Sequence, residues 1–217
     1  MSYEPSKLEI WLTLGIGTII APCYRRYVDT LPFQENEKVL DFGSGSGILS
    51  RHIAARLARG GSNLACVDIS ARWMKVIRHT LRRFRNVSFY PGHITRVNLP
   101  DASFDTVILH FVLHDIPAAE RPLVMQTLAG KLKPGGRLLL REPQGAGLSL
   151  EEVQSLAASA GLVPQEVVAH RVWLGPVFDG RFIRCEIGQM KDNKTLHSSD
   201  VSASNVLYTF DLLEKES

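Results

Sequence analysis

The sequence predicts an α/β domain with a doubly wound, mainly parallel sheet. Two observations predict this fold class. Short β-rich runs alternate with segments whose apolar residues recur every three or four positions. A glycine-rich turn also follows the first buried run, over Val39–Gly47. The chain has 217 residues, of which 45% are hydrophobic and 22% charged, and this suits a single domain with a full core.

Seven β-rich runs are present, and the strands they predict are KVLDFG, NLACVDIS, NVSFYPG, FDTVILHFVL, GRLLLRE, EVVAHRVW and RFIRCEI. The last two runs read as a hairpin with its turn at Asp179–Gly180. A turn at Lys133–Gly136, whose proline and glycine suit the middle of a type II turn, precedes the fifth strand.

Apolar stripes predict three helices, over Ile48–Arg59, Ala71–Arg85 and Ala118–Leu132. A fourth helix is expected after Ser149, which has a glutamate three residues later, as in a capping box. Gly161 is expected to close that helix. Alternation of strands and helices implies right-handed crossovers, with helices on both faces of the sheet.

Three segments are expected: an N-terminal helical or lid segment (1–30), a cofactor-binding domain (31–188) and a polar C-terminal tail (189–217). Within the first, Leu8–Cys23 is strongly apolar but short for a membrane span, and it lacks the features of a signal peptide. We expect a helix packed on the domain. A hydrophobic flap over an apolar substrate, or a contact with a membrane surface, remains open.

Charge and cysteine content exclude several classes of protein. The net charge of +3 is mild, so nucleic-acid binding is not favoured. The basic segment 72–85 keeps an intact apolar stripe, which favours a solvated outer face over an RNA-binding surface. Three scattered cysteines form neither a metal-binding motif nor a disulfide framework, so we expect a cytoplasmic protein without a metal.

The glycine turn predicts a nucleotide-type site. Gly43, Gly45 and Gly47 allow a tight bend and a close approach of backbone to ligand. Asp68 ends the second strand, 21 residues after Gly47, where its carboxylate could accept both hydroxyls of a ribose. The pair indicates a cofactor that contains adenosine. The alternative for Asp68 is a helix cap, a role that Ser70 could also fill.

Four segments together resemble the successive motifs of class I S-adenosylmethionine-dependent methyltransferases: VLDFGSGSG, VDIS, LPDASFDTVILHFVLHDI and LKPGGRLLLREP. The similarity covers about residues 31–188 and is greatest to the small-molecule branch, the methyltransferase type 11 group that resembles quinone and phenolic O-methyltransferases. The resemblance implies a Rossmann-like, seven-stranded sheet whose last strand is antiparallel. It also implies S-adenosylmethionine as the cofactor.

The resemblance assigns roles to residues around the glycine turn. It implies that the methionine part is held by Asp41, Gly43, Ser44, Gly45 and Gly47. It further implies that Asp68 holds the ribose and that Ile69 packs on the adenine.

The sequence departs from the family pattern after the third strand. Gly92-His93 stands where the family usually has glycine followed by an acid. A neutral imidazole offers one acceptor nitrogen where a carboxylate offers two oxygens. We predict an adenine contact from His93, with stacking on the ring or exposure to solvent as alternatives, and backbone contacts near Ile94. His110, at the end of the fourth strand, is predicted to contact the cofactor.

His114 is the candidate catalytic residue. It lies in FVLHDIP (Phe111–Pro117), after the fourth strand and at the end where open α/β sheets bind ligands. Plant phenolic O-methyltransferases carry a histidine base in a similar Leu-His-Asp context. Three roles remain open for His114: a general base, a substrate or cofactor contact, or a structural residue beside Asp115 as a helix cap.

The sequence therefore predicts an S-adenosylmethionine-dependent methyltransferase that acts on a small, apolar or aromatic acceptor. Whether oxygen, nitrogen or carbon is methylated remains open. One alternative is a scaffold protein that binds the cofactor without turnover. An oxidoreductase is disfavoured because G-S-G-S-G differs from G-x-G-x-x-G. An RNA methyltransferase is disfavoured because N/D-P-P-aromatic is absent after the fourth strand.

Overall fold

A computed structural model of the chain describes residues 4–172 and 174–185, so the predicted tail at 189–217 lies outside the described residues. The seven strands are β1 (Lys38–Phe42), β2 (Asn63–Asp68), β3 (Val87–Pro91), β4 (Phe104–His110), β5 (Leu132–Pro143), β6 (Leu162–Val172) and β7 (Gly175–Arg184). The six α-helices are α1 (Lys7–Ile19), α2 (Ala21–Thr30), α3 (Ile48–Leu57), α4 (Ala71–Thr80), α5 (Arg121–Lys131) and α6 (Leu150–Ser159).

The strands form one seven-stranded, mostly parallel sheet in the order β3-β2-β1-β4-β5-β7-β6. β7 is antiparallel to β5 and to β6. The predicted fold class, including the antiparallel last strand, is therefore confirmed. No helix within the described ranges is long and apolar enough to cross a membrane.

The chain divides into two compact units, of which the first comprises residues 1–108 and 130–133. Its β1, β2 and β3 run parallel, with Asp41 opposite Cys66 and Asp68 opposite Pro91. β2 is buried from its second residue onwards, as its continuous apolar sequence requires for a strand covered on both faces. β1 and β2 therefore end together, which brings the glycine turn and Asp68 to one edge.

Of the described residues, the second unit comprises 109–129, 134–172 and 174–185. β6 and β7 form the predicted hairpin, but the predicted turn at Asp179–Gly180 is wrong. The strands are joined after Val172, which pairs with Gly175. Gly180 lies inside β7, where a Cβ atom would stand 2.5 Å from Cε2 of Phe182. Glycine is required there for the packing of that ring and not for a turn.

Several predicted element ends were wrong. β4 stops at His110 and does not continue to Leu113, because Phe111 adopts a left-handed backbone conformation with φ of 55°. α4 ends at Thr80 and not at Arg85, and α5 begins at Arg121 and not at Ala118. Asp115 therefore caps no α-helix. It belongs to a short 3-10 helix at Leu113–Asp115.

The fourth predicted helix and the turn before β5 agree with the sequence. The Glu152 N–H donates to the hydroxyl of Ser149, 3.1 Å away, so the capping interaction at α6 is confirmed. Gly161 follows the helix with φ of 75°. Gly135 has φ of 74°, as the third residue of a type II turn requires, although β5 already begins at Leu132.

The N-terminal segment is helical, but α1 is not packed on the domain in the way its apolar sequence predicts. Gly17 is its one buried residue within the helix. Leu8, Trp11 and Ile19 are exposed. Helix propensity and hydrophobicity predict that α1 is helical. They do not predict which of its faces packs against the rest of the protein.

Candidate cofactor and base sites

The glycine turn after β1 has the backbone that the sequence predicts. Gly43, Gly45 and Gly47 have φ of 71°, 50° and 76°, a region that side-chain-bearing residues rarely adopt. At Gly47, the residue directly before α3, a Cβ atom would lie 2.5 Å from Cγ1 of Ile77. Glycine at 47 is therefore required both by the turn and by the contact between α3 and α4.

Asp68 is held beside this turn. The Gly45 N–H donates to its Oδ2 and the Ser70 N–H to its Oδ1, each over 2.8 Å. A carboxylate has about four lone-pair sites, so two acceptor positions remain for the hydroxyls of a ribose. Burial raises the pKa of Asp68. Ser70, and not Asp68, caps α4 by accepting from the Trp73 N–H at 3.0 Å.

Asp41 lies beneath the turn and is only 2% exposed. The Ser50 hydroxyl donates to its Oδ2 over 2.5 Å, and the Ser44 hydroxyl donates to its backbone oxygen over 2.8 Å. Burial raises the pKa of Asp41 to about 6, and the negative charge of Asp68 adds to the effect. Asp41 and Ser44 thus secure the turn, and their contact with a methionine group stays a prediction.

Because Asp41 is buried, the free energy of unfolding of the unliganded protein is expected to fall as pH rises. Its pKa is about 6 in the folded chain and 3.8 without burial, so ionisation costs stability between about pH 4 and 6. Two pH units correspond to about 3 kcal/mol. Asp41→Asn should therefore raise the free energy of unfolding at pH 7.5 by about 2 kcal/mol, measured by urea denaturation.

The same comparison at pH 4 supplies the control, because Asp41, with its pKa of about 6, is then protonated in the folded protein. The stability difference between Asp41→Asn and the wild type should shrink there. A difference of equal size at both pH values would show that burial of charge is not its cause.

The residues predicted to meet the adenine lie in the same unit. Ile69 is 45% exposed, directly after Asp68, so an apolar surface is available to a flat ring. His93 is half-buried, and its Nδ1 forms a hydrogen bond with Oγ1 of Thr95, 2.8 Å away. The side chain of Ile94 is buried. An adenine contact from His93 or from the backbone near Ile94 stays a prediction.

Glu4 makes a contact with this region that no sequence pattern predicts. Its carboxylate accepts from the Ser70 hydroxyl at 2.9 Å and from the Ala71 N–H at 2.8 Å. It thereby neutralises the positive N-terminal end of α4. Because 66 residues separate Glu4 from Ser70 in the chain, no local pattern connects them.

The second unit contains a histidine and glutamate pair. Glu142, at the end of β5, is fully buried. Its Oε2 lies 2.6 Å from Nδ1 of His114. Its Oε1 accepts from the Val112 N–H at 3.0 Å and from the Leu113 N–H at 2.7 Å. One buried carboxylate therefore orients both the imidazole and the backbone that carries it.

This contact determines how His114 can act. A neutral ring that donates from Nδ1 to Glu142 leaves the lone pair on Nε2, the atom that can take a proton. The hydrogen bond with Glu142 raises the pKa of His114. Nε2 is 3.4 Å from Oδ1 of the exposed Asp115. Sequence reasoning missed Glu142, although a charged residue ending a buried apolar strand is a signal for such a role.

Arg121 was also missed, and it fixes the turn that carries His114. Its buried guanidinium donates to the backbone oxygens of Ile116 at 2.9 Å and His114 at 3.2 Å. It also pairs with Glu152 at 2.7 Å. Arg121 therefore ties the 3-10 helix at Leu113–Asp115 to the first turn of α6.

His110 belongs to a different cluster in this unit. Burial and the nearby Arg141 guanidinium lower the pKa of His110 to about 3. Arg141 pairs with Asp179, and Asp179 also accepts from Nε2 of His170 at 3.0 Å. His110 is therefore neutral at physiological pH. Its predicted contact with the cofactor stays a prediction.

The glycine turn and Asp68 fit an adenosine-containing cofactor, because the turn leaves no Cβ in the way and Asp68 retains two acceptor positions. The strand order, with β7 between β5 and β6 and antiparallel to both, agrees with the sheet that the sequence resemblance implies.

The comparisons with known proteins agree. Residues 40–140 match the family model described as a methyltransferase domain. Residues 40–140 of the chain therefore form a methyltransferase domain of the class I S-adenosylmethionine-dependent type. This family assignment implies S-adenosylmethionine as the cofactor.

Two relatives illustrate the similarity. A demethylmenaquinone methyltransferase of Tropheryma whipplei (strain Twist) is 35% identical over 108 residues, which cover 49% of this chain and 41% of that protein. A ubiquinone/menaquinone biosynthesis C-methyltransferase of Pseudomonas paraeruginosa (strain DSM 24068 / PA7) is 31% identical over 162 residues, covering 73% and 62%. The chain thus spans about two fifths to three fifths of the length of these relatives.

The fold is shared with solved structures. A SAM-dependent methyltransferase from Aquifex aeolicus superposes with a TM-score of 0.65 at 18% identity, covering 74% of this chain and 89% of that one. At this identity the likeness concerns the fold alone.

Proposed function

We propose that this protein transfers a methyl group from S-adenosylmethionine to a small aromatic acceptor that carries a hydroxyl, of the phenol or quinol type. We propose His114 as the general base. The observation that carries the proposal is the 2.6 Å contact between Nδ1 of His114 and the fully buried Glu142. The names of the two quinone methyltransferases above support an acceptor of this chemical class.

The first unit supplies the residues that would hold the donor. The left-handed glycine turn approaches the ligand closely, Asp68 accepts from ribose hydroxyls, and Ile69 covers one face of the base. When bound, the sulfonium supplies a methyl group that is already activated. These residues therefore need only to bind and orient it, and positioning of this kind can lower a barrier by about 7–11 kcal/mol.

His114 would make the acceptor nucleophilic. Its Nε2 takes the hydroxyl proton, and the electron density released on the oxygen extends to the ring carbons beside and opposite it. The oxygen or a ring carbon would then form the new bond to the methyl carbon, and the electron pair of the broken carbon–sulfur bond would remain on the sulfur. Where a ring carbon is methylated, the hydrogen on that carbon would leave as a proton to water, so that the ring regains its aromaticity. Glu142 stabilises the imidazolium, as the carboxylate of a catalytic triad does.

A scaffold protein that binds the cofactor without turnover is the competing proposal. Cofactor binding alone does not require a histidine oriented by a fully buried carboxylate, whose costly desolvation is compensated here by that histidine and two backbone N–H groups. The family assignment also argues against an oxidoreductase.

We propose a small molecule and not a nucleic acid as the acceptor. All three cysteines are free, and this supports a cytoplasmic location.

A transfer assay with methyl-labelled S-adenosylmethionine tests the proposal. The panel contains phenols, quinols reduced from their quinones, amines and short RNAs. Labelled product from the phenol or quinol group, and not from the others, is expected. Labelled amine or RNA as the main product would refute the acceptor class. Cofactor binding without any labelled product would favour the scaffold.

The pH dependence of the reaction is expected to report the contact with Glu142. His114 acts as a base only when neutral, so kcat/KM should rise with pH through its pKa. Because Glu142 raises that pKa, Glu142→Gln should move the rise to lower pH. The measurement is a kcat/KM profile from pH 5 to 9 for both proteins. Glu166→Gln, a change at an exposed glutamate of the same unit, is the matched control and should leave the profile unchanged. An unmoved profile in Glu142→Gln would contradict the role given to Glu142.

A further inference from the structure

The exposed face of α1 forms a continuous apolar stripe. The stripe consists of Leu8, Trp11, Leu12, Gly15 and Ile19, which follow the i, i+3, i+4, i+7 spacing of one helix face. Trp11 is 71% exposed and Ile19 is 74% exposed. Large apolar side chains that share one exposed face indicate a site of interaction, whereas scattered ones do not.

The opposite face of α1 contacts the first unit. Gly17 lies half a turn away from the stripe and is buried against the side chain of Ile48 in α3. A Cβ atom at position 17 would overlap that side chain, so α1 approaches α3 as closely as its backbone allows. The helix is therefore seated with the stripe facing outward.

A basic surface begins beside the start of α1. The guanidinium of Arg72, in the first turn of α4, donates to the Pro5 oxygen over 2.8 Å, two residues before α1 starts. Residues 71–85 contain no acidic residue, and their exposed basic side chains are Arg72, Lys75, Arg78, Arg82, Arg83 and Arg85. The Glu4 carboxylate, which accepts from the Arg72 N–H at 3.1 Å, offsets part of this charge at Arg72. The other five exposed basic side chains extend the positive surface away from the start of α1.

We propose that the α1 stripe and the basic surface of residues 72–85 together dock on a lipid bilayer that contains anionic lipids. An apolar helix face that carries tryptophan enters the boundary between headgroups and acyl chains, while nearby basic side chains attract anionic headgroups. A nucleic acid would match the basic surface but leave the stripe exposed to water. A second copy of the chain would match the stripe but add the same positive charge.

Vesicle co-sedimentation of the full chain tests the proposal. The probes are vesicles of phosphatidylcholine alone and vesicles with about 30 mol% phosphatidylglycerol. We expect binding to the anionic vesicles that weakens between about 50 and 500 mM NaCl, and much weaker binding to the neutral ones. The proposal would be overturned if the protein stayed in the supernatant with anionic vesicles. It would also be overturned if the protein bound RNA, or dimerised through α1, instead of binding the vesicles.

Matched variants separate the two parts of the surface. Trp11→Glu should lower the apparent partition coefficient about tenfold, whereas Leu123→Glu, at a leucine that is 56% exposed on α5, should not change it. Lys75→Glu combined with Arg83→Glu should weaken binding to anionic vesicles about tenfold or more. The same double reversal at Arg56 and Arg59, both exposed, is its control. Equal binding by Trp11→Glu and Leu123→Glu would refute the docking face.

Because Trp11 is exposed, Trp11→Glu should fold, and circular dichroism checks this. A second readout requires no charge in the stripe: brominated lipids should quench the tryptophan fluorescence of the wild type more than that of Trp11→Phe. Equal quenching in the two proteins would place Trp11 outside the lipid. Docking of this kind does not depend on methyl transfer, so its failure would leave the proposed chemistry untouched.

Discussion

His114→Ala is expected to lower kcat for a phenol or quinol acceptor by about 10² to 10⁴ while the affinity for S-adenosylmethionine changes little. The reason is that the acceptor hydroxyl loses its proton slowly without a base in contact. Single-turnover kinetics with labelled donor would measure the loss, because this assay separates chemistry from product release.

A matched control and a second acceptor sharpen this test. His79→Ala removes an exposed histidine from α4 and should leave kcat unchanged. An acceptor that is already ionised, such as a phenol of low pKa, should recover most of the rate in His114→Ala. A rate loss below about tenfold with an un-ionised acceptor would exclude general-base catalysis of the usual size.

Asp68→Ala is expected to weaken the binding of S-adenosylmethionine by more than about tenfold. Two hydrogen bonds from ribose hydroxyls to a carboxylate are lost, and each contributes about 1.5–3 kcal/mol in favourable settings. The variant also loses the acceptor for the N–H groups of Gly45 and Ser70, so the glycine turn should loosen. Isothermal titration calorimetry measures the dissociation constants.

Asp68→Asn keeps an acceptor oxygen and the shape of the side chain, so it should fold and bind with intermediate affinity. Asp101→Ala, at an exposed aspartate of the same unit, is the control and should bind as the wild type does. Unchanged affinity in Asp68→Ala would remove Asp68 from the cofactor site.

The backbone of the candidate cofactor site could be predicted largely from the sequence because its determinants are local. Gly43, Gly45 and Gly47 are required by one tight turn, and that turn is encoded by adjacent residues. Asp68 follows a strand whose parallel pairing with β1 sets its position. Periodicity likewise predicted all seven strands, since a buried strand is recognisable from its own residues.

The surroundings of the proposed base His114 could be predicted only in part, because their contacts join distant segments. His114 stood out in the sequence, whereas Glu142 is 28 residues away and its burial depends on the packing of β5. Arg121 reaches four partners that no periodic pattern connects.

The hairpin turn was misplaced for a different reason. Asp-Gly is a strong turn signal. At Gly180, however, the strand continues, and glycine is needed because a Cβ atom would collide with the ring of Phe182. The apolar side chains of α1 were expected to be buried, but those on one face are exposed. Hydrophobicity predicts that a side chain tends to be buried, but it does not identify the surface that would bury it.

Calorimetric titration of the full chain with S-adenosylmethionine and, in parallel, with NADH tests the central claim most directly, because the glycine turn and Asp68 are proposed to hold the first of these ligands. The account predicts saturable one-to-one binding of S-adenosylmethionine and of its demethylated product, with no heat of binding from NADH. Binding of NADH without binding of S-adenosylmethionine would contradict it.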